Sequence, residues 1–205
     1  MPTPTETNAF PAHLAADVTA VIPAISDYQL HPPAQGFTVN VQGEQLQIPY
    51  RVYYRQSQVL KCAGRPGDQG HIALCLGTRH HDGLLREECT KQLIAVERPW
   101  VAPFITQLIG EYVVEIVQVI ERELPKLNAQ MYGEYLKDNA ALHGTIGRRV
   151  VSYWNEYYRS QYPKLEAYPG THVLNEFRGF AESALTLFSS GPPPAAAELK
   201  RWASQ

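Results

Sequence analysis

The sequence predicts a mainly α-helical fold with one β-hairpin near its N-terminus. Two patterns predict it: apolar and polar residues alternate over 37–55, whereas apolar residues recur at helical spacing after the turn-forming run 64–68. With 205 residues, 44% of them hydrophobic, the chain can bury one core of ordinary size. We expect a single domain over 13–190, a loose N-terminus over 1–12, and a proline-rich turn with a loosely attached helix over 191–205.

The N-terminal part is predicted to contain one short helix before the hairpin. The helix should end before Pro23, because proline interrupts the backbone hydrogen bonds of a helix. Its apolar positions are Leu14, Val18, Val21 and Ile22. In the hairpin over 37–55, we expect Pro49 at an edge or a bulge of the second strand, since it cannot donate to a ladder.

Two short helices are predicted after the turn-forming run. The first ends near Gly77, and the second begins at 80–83 and stops before Pro99. Asp82 is suited to cap the free amides at the start of the second helix, and Arg86, one turn later, is within reach of that carboxylate. The apolar residues expected to point inward from the second helix are Leu84, Leu85, Cys89, Leu93 and Ile94.

The longest predicted element is one continuous amphipathic helix over 99–124. Pro99 suits the first turn of a helix, and the apolar residues that follow have i, i+3, i+4 spacing. This pattern places Tyr112 on the inner face and Glu111 on the outer face, with the other Gln and Glu residues. Further helices are expected over 127–142 and 145–161, separated at 143–144, and over 173–188.

Composition and charge exclude several functional classes. Eighteen Lys and Arg against twenty Asp and Glu give a net charge of -2, which argues against a protein that coats nucleic acid. The N-terminus lacks the features of a signal peptide, and three cysteines without close pairing are typical of reduced thiols, so we expect a cytoplasmic protein. The apolar run over 99–124 is interrupted by Gln and Glu, which predicts no membrane span.

The segment over about 69–124 resembles a HEAT-type helical repeat. It contains two short helices joined by a tight loop, with Asp82 at the start of the second helix and Arg86 four residues later. The resemblance implies a HEAT-like multi-helix bundle. The runs 79–83, 99–103 and 110–114 also resemble bacterial proteins to which no activity is assigned, which implies a bacterial source but no chemistry.

A cluster of aromatic and basic residues on the helix over 145–161 predicts a binding surface. Over 126–165, six Lys and Arg oppose three Asp and Glu. Tyr, Trp and Arg dominate the energetics of protein interfaces. The leading prediction is therefore a non-catalytic module that binds another protein, while single-stranded nucleic acid and a homo-oligomer stay open. The expected contact residues are Arg148, Arg149, Tyr153, Trp154, Tyr157 and Tyr158.

The run His80-His81-Asp82 supports an alternative prediction, a metal-dependent phosphohydrolase. A His-Asp pair after an apolar helix resembles the metal site of HD-type phosphohydrolases, in which imidazole and carboxylate groups hold a divalent metal that activates water. Asp138 is the downstream carboxylate that could complete such a site. Under the leading prediction of a non-catalytic protein, Asp82 and Arg86 have only structural roles, and we expect no metal, no cofactor and no catalytic residue.

Overall fold

The computed structural model of the chain describes residues 4–26 and 35–189. Helices dominate these residues, which confirms the predicted mainly α-helical fold with an N-terminal hairpin. The helices are α1 (Pro4–Thr7), α2 (Ala15–Ser26), α3 (Gln56–Ala63), α4 (Asp68–Gly77), α5 (Gly83–Leu93), α6 (Ala102–Leu108), α7 (Val114–Glu123), α8 (Ala129–Asp138), α9 (Ala140–Tyr153) and α10 (Pro169–Ser189). The strands are β1 (Gly36–Val41) and β2 (Glu44–Pro49).

The two strands form an antiparallel hairpin whose apolar face belongs to the core. Its two-residue turn consists of Gln42 and Gly43, which have φ of 51° and 86°. A type I′ turn requires this backbone and matches the right-handed twist of the strands. The buried side chains of the hairpin are Phe37, Val39, Val41, Leu46 and Ile48.

The prediction that the hairpin extends to residue 55 is wrong, because the second strand ends at Pro49. Proline has no N–H with which to continue a ladder. Beyond it, the backbone forms an isolated parallel bridge to the turn after α4. In this bridge Val52 N–H donates to Arg79 O (3.0 Å), and His81 N–H donates to Val52 O (3.1 Å). Residues 50–55 therefore join the hairpin to the helices.

Both edges of the hairpin bond to residues outside the sheet. On the β2 edge, Gln47 N–H donates to Asn8 O at 2.9 Å. On the β1 edge, Asn40 N–H donates to Asn139 Oδ1 at 2.8 Å, and Asn139 Nδ2 donates to Asn40 O at 2.7 Å. A carboxamide thus takes the place that a third strand would occupy.

Helix α2 continues through Pro23, so the predicted helix is present but its predicted end is wrong. The apolar spacing extends to Ile25, which is fully buried, and we infer that its packing offsets the hydrogen bond lost at the proline. Helix α3 was not predicted. Only Val59 and Cys62 are buried in it, which is too sparse a pattern to detect.

The predicted continuous helix over 99–124 is divided into α6 and α7. A short 3-10 turn, Pro99–Val101, precedes α6, and the chain leaves helical geometry between Ile109 and Val113. The break reverses two predicted orientations: Glu111 is buried at 4% exposure, whereas Tyr112 is 47% exposed. Gly110 permits close packing here, because a Cβ atom at this position would lie 3.4 Å from the Arg149 side chain.

The boundary between the next two helices lies at Asn139, not at 143–144 as predicted. Asn139 turns the chain between α8 and α9 and makes the hydrogen bonds to β1 described above. Helix α9 runs through residues 143–144 and continues as a π-helical turn, Trp154–Tyr158. Helix α10 begins at Pro169 and contains the predicted segment 173–188. The predicted C-terminal helix after residue 190 lies outside the described residues.

The expected loose N-terminus differs from the structure over residues 6–10. Ala9 and Phe10 are buried, and the Phe10 ring lies 5.5 Å from that of Phe104 and 5.8 Å from that of Trp100. The Tyr54 hydroxyl donates to the buried Glu6 carboxylate. The apolar core therefore begins at Ala9, and it extends to Phe180.

Helices α4 and α5 lie next to each other and are joined by a tight turn, as the HEAT resemblance implies. The division of the following segment into α6 and α7 departs from one long third helix. Membership in the HEAT class stays a prediction. No helix within residues 4–26 and 35–189 combines the length and the apolar character needed to cross a bilayer.

Replacement of Gly133 tests the close contact between α8 and α10. A Cβ atom there would lie 2.3 Å from the backbone oxygen of Phe180, so Gly133→Ala should lower the free energy of unfolding by about 1–3 kcal/mol. The matched control is Gly179→Ala on α10, where a Cβ atom meets nothing within 4 Å and alanine should stabilise by about 0.5–1 kcal/mol. Urea unfolding measures both, and equal stability of the two variants would contradict this packing.

Candidate functional site

One buried carboxylate lies among three guanidinium groups. Glu111 accepts two hydrogen bonds from Arg51, from Nη1 to Oε1 (3.0 Å) and from Nη2 to Oε2 (2.9 Å). Arg79 Nη2 lies 3.5 Å from Oε1, and Arg86 Nη2 lies 3.5 Å from Oε2. We refer to these four residues as the Glu111 cluster.

Four separate segments contribute to the Glu111 cluster. Arg51 follows β2, Arg79 lies in the turn between α4 and α5, and Arg86 is on α5. The isolated parallel bridge holds the first two segments side by side. Glu111 lies in the break between α6 and α7, and a continuous helix would have carried it to the outer face.

The cluster contains more positive than negative charge. Arg79 and Arg86 are fully buried, and Nε and Nη1 of Arg79 and Nε and Nη2 of Arg86 have no hydrogen-bond acceptor among the described residues. Burial is the main cause that lowers the pKa of Arg79 to about 9; Glu111 raises it, and Arg51 and Arg86 lower it. One carboxylate therefore compensates three cations only in part.

The carboxylate itself is held in its ionised form. Burial alone would raise the pKa of Glu111, but the positive charges of Arg79, Arg51 and Arg86 lower it by more, so that it falls below the ordinary value of 4.5. Glu111 is therefore negatively charged at neutral pH and contributes a fixed charge to the site.

A cleft of about 250 Å³ opens beside the cluster. Arg51, Glu111 and Arg149 of α9 all line it, and the Arg149 guanidinium lies 5.6 Å from the centre of the Tyr50 ring. Gln107 also lines the cleft; it is 3% exposed, and its Oε1 atom has no hydrogen-bond partner among the described residues. The full lining is Tyr50, Arg51, Gln107, Gly110, Glu111, Arg149 and Tyr153.

Three tyrosine rings continue from the cleft along the surface. The centre of the Tyr153 ring lies 6.3 Å from that of Tyr112 and 6.1 Å from that of Tyr157. Tyr112 is 47% exposed and Tyr157 is 60% exposed. We call Tyr112, Tyr153, Tyr157 and Arg149 the tyrosine face. It contains three of the predicted contact residues and adds Tyr112, which the sequence pattern placed inside.

Two other predicted contact residues hold this surface in place. Trp154 is half-buried, and its Nε1 donates to Tyr162 O at 2.8 Å. The Tyr158 hydroxyl donates to Tyr112 O at 2.5 Å and accepts from Val114 N–H at 3.2 Å. The Trp154 bond holds the turn to the chain that follows it, and the Tyr158 bonds attach it to the start of α7 and the residues just before. The sixth predicted residue, Arg148, is exposed and donates to Thr145 Oγ1.

The structure gives His80 two backbone partners instead of a metal. Its Nε2 lies 2.9 Å from Tyr54 O, and its Nδ1 accepts from Asp82 N–H at 3.1 Å. These partners define a neutral ring with the proton on Nε2, which has no free lone pair for a metal ion. Burial lowers the pKa of His80 below the ordinary 6.5, in agreement with a neutral ring.

The other residues of the hypothetical phosphohydrolase site serve different parts of the fold. His81 stacks on Tyr53 with ring centres 5.3 Å apart. Asp138 ends α8, in a pocket with Val41 and Gln42. No group of three or more His, Cys, Asp or Glu within the described ranges is arranged to hold a metal ion, so these carboxylates and imidazoles are not assembled into one site.

Asp82 and Arg86 both stabilise the start of α5, but they do not pair with each other as the sequence suggests. Asp82 Oδ1 accepts from Leu84 N–H (2.8 Å) and Leu85 N–H (3.4 Å). Arg86 Nη1 instead donates to the backbone oxygens of His80 and His81, both at 2.9 Å. Leu84, which was predicted to point inward, is 75% exposed.

The sequence pattern did not identify Arg51, Arg79, Gln107 or Glu111 as site residues. The signal that could have found them is Gly110-Glu111 within an apolar helical stripe, because glycine weakens a helix interior and a carboxylate interrupts the stripe. The arginines carry no such signal, since their meeting depends on the bridge between distant segments.

Comparisons with protein-family models, with curated proteins and with solved structures found no match to this chain. Its function is therefore inferred from its own side chains. The Glu111 cluster and the tyrosine face are two groups of side chains whose charge and exposure suit contact with a ligand.

Replacement of Glu111 tests the charge excess of the cluster. Glu111→Gln removes the carboxylate that the three arginines share and should lower the free energy of unfolding by about 3–5 kcal/mol at neutral pH. Because the pKa of Glu111 is lower in the folded chain than 4.5, its contribution is present above that pH and is lost as the pH falls through the folded-state value. Urea unfolding between pH 3 and 7 should show this acid loss in the native chain and not in the variant.

Two further variants control this measurement. Glu115→Gln removes an exposed carboxylate from the first turn of α7, so it should lower the free energy of unfolding by no more than about 1 kcal/mol, the usual contribution of a negative charge near a helix N-terminus. Arg79→Met removes a buried cation in excess and should be neutral or stabilising, since apolar residues often replace buried charges without loss. If Arg79→Met lowered the free energy of unfolding as much as Glu111→Gln, the charge of Arg79 would be needed for stability. This result would contradict an excess of positive charge in the cluster.

The tautomer of His80 is directly measurable by nitrogen NMR of the imidazole ring. At pH 7 we expect a neutral ring with the proton on Nε2, and a titration midpoint below 6.5 in the folded chain. The urea-unfolded chain provides the reference, in which the ring titrates at its ordinary value. Between the two midpoints the unfolded chain binds the proton and the folded chain does not. The His80 ring therefore lowers the free energy of unfolding as the pH falls below 6.5. A proton on Nδ1 would contradict these hydrogen bonds and free Nε2 for a metal.

Proposed function

We propose that this protein binds an acidic segment of another protein through the tyrosine face. The observation that carries the proposal is the row of Tyr112, Tyr153 and Tyr157 at the surface beside the guanidinium of Arg149. Tyrosine rings offer large contact area with a polar tip, and they lose little conformational entropy on binding because only two side-chain torsions are fixed.

The π-helical turn supports a binding role for these rings. A π-helical turn has a poorer hydrogen-bonding pattern than an α-helix, and such turns often occur at functional sites. Here it keeps Tyr157 near Tyr153, while Trp154 and Tyr158 are tied to backbone atoms of neighbouring segments. The tyrosine face is thus largely preorganised, which reduces the cost of binding.

Charge complementarity favours an acidic partner. Arg148 and Arg159 are exposed on either side of the tyrosines, and Arg149 and Arg51 are partly exposed at the cleft. Glu115, whose charge acts on Tyr158, and Glu156, next to Tyr157 in the sequence, are exposed carboxylates in this region. Glu111 is already paired with Arg51, so these four arginines stand against three carboxylates. Opposite charges across an interface guide association and select among partners.

The proposed setting is the cytoplasm of a bacterial cell. All three cysteines are buried free thiols, which suits a reducing compartment. Burial raises the pKa of Cys89 to about 12 and also raises that of Cys75, so neither thiol resembles a nucleophile. The alternative phosphohydrolase draws no support from the geometry, because both ring nitrogens of His80 have backbone partners.

Selection from a random dodecapeptide library on phage tests the proposal with a defined probe. Peptides selected on the native chain and counter-selected on Tyr153→Ala/Tyr157→Ala should be enriched in Asp and Glu. In fluorescence anisotropy, Tyr157→Ala should weaken binding of a selected peptide by about tenfold or more, as expected for an interface hot spot. Leu185→Ala, at a position 54% exposed on α10, is the matched control and should bind normally. Peptides that bind native and Tyr157→Ala protein equally would refute the tyrosine face.

A further inference from the structure

We propose that the cleft beside the Glu111 cluster is a binding site for one oxyanion, a carboxylate or phosphate group. The first argument is charge. The cleft and the cluster beneath it contain the guanidiniums of Arg51, Arg79, Arg86 and Arg149 against the single carboxylate of Glu111. Asp82, which lies between Arg79 and Arg86 in the sequence, is used as the cap of α5. Arg51 and Arg149 line the cleft, whereas Arg79 and Arg86 lie buried behind Glu111 and act on the cleft through their charge. An anion in the cleft would offset part of this positive excess.

The second argument is the supply of free hydrogen-bonding groups. The Arg149 guanidinium lies over the Tyr50 ring and makes no hydrogen bond to a described residue. Gln107 is almost fully buried in the cleft lining, and its Oε1 has no partner among the residues described. A carboxamide can present either end by a half-turn, so it can bind a protonated or an unprotonated oxygen.

The third argument is geometry. Arg51, which follows β2, and Arg149, on α9, both line the cleft, so cations from two separate parts of the chain border the same opening. Gly110 belongs to the same lining, and a Cβ atom there would contact Cβ and Cδ of Arg149 at 3.4 Å, so a methyl group would take up space beside this side chain. The volume of about 250 Å³ is below the usual range for cofactors and suits a small anion or one acidic group of a larger ligand.

The oxyanion could come from two sources that share this chemistry. One is a free small anion, and this source is independent of the tyrosine face. The other is an acidic side chain or a chain terminus of the bound partner, and this source rests on the proposed function. Tyr153 belongs both to the cleft and to the tyrosine face, so a bound peptide could reach both at once.

The test is a titration of the full chain with inorganic phosphate, acetate, tetraglutamate and tetraglutamine, with chloride at equal ionic strength as the baseline. Binding is read from the melting temperature and from the arginine Nε–H and glutamine amide resonances. The expected result is a saturable change with at least one oxyanion. Arg149→Met should weaken this binding by about tenfold or more, as expected for the loss of a charge-assisted hydrogen bond. Arg122→Met, which removes an exposed cation in the last turn of α7, should leave binding unchanged.

Two further variants complete the test. One controls for folding, and the other distinguishes a free anion from an acidic group of the partner. Gly110→Ala narrows the cleft without removing a charge and should weaken binding while the far-UV circular dichroism stays native. Tyr157→Ala should leave phosphate and acetate binding intact, so the oxyanion site can survive even if the tyrosine face is refuted. Binding of tetraglutamate alone, weakened by Tyr157→Ala, would assign the oxyanion to the partner. No saturable change with any oxyanion, or equal weakening by Arg122→Met, would overturn the site.

Discussion

The bidentate pair between Arg51 and Glu111 joins the end of the hairpin to the break between α6 and α7. Two more guanidiniums approach the same carboxylate from the turn after α4 and from α5. Because a buried charge needs a partner, the backbone at residues 109–113 must leave helical geometry to turn Glu111 inward. The outward orientation of Tyr112, the exposure of the cleft and the position of α9 next to Gly110 all follow from this turn.

Much of the fold could be predicted from apolar spacing. The hairpin, α4, α5 and α10 each have a regular period, and Asp82 shows how a cap can be recognised from its position before an apolar run. The predictions failed where a distant contact decides the local structure. Residues 99–124 have a nearly perfect helical period, yet the helix is interrupted around Glu111, whose carboxylate lies among three arginines from distant segments. Likewise, Asn139 replaces 143–144 as the helix boundary because its carboxamide bonds to β1.

The candidate site was predicted in part, for the same reason. Arg149, Tyr153 and Tyr157 lie close together on one helix, so their neighbourhood is visible in the sequence. Arg51, Arg79 and Gln107 come from segments far apart, and no periodic pattern connects them. The pattern also could not separate roles within the aromatic run: Trp154 and Tyr158 anchor the turn, whereas Tyr157 is exposed.

The hydrogen bonds on the two edges of the hairpin have a consequence for self-association. An open strand edge is a template on which another chain can add a strand, and such additions lead to domain swapping and aggregation. Here Asn139 occupies the backbone groups of Asn40 on one edge, and Asn8 occupies that of Gln47 on the other. Strand addition is thereby hindered at Asn40 on one edge and at Gln47 on the other, so a single polar contact on each side protects this short sheet.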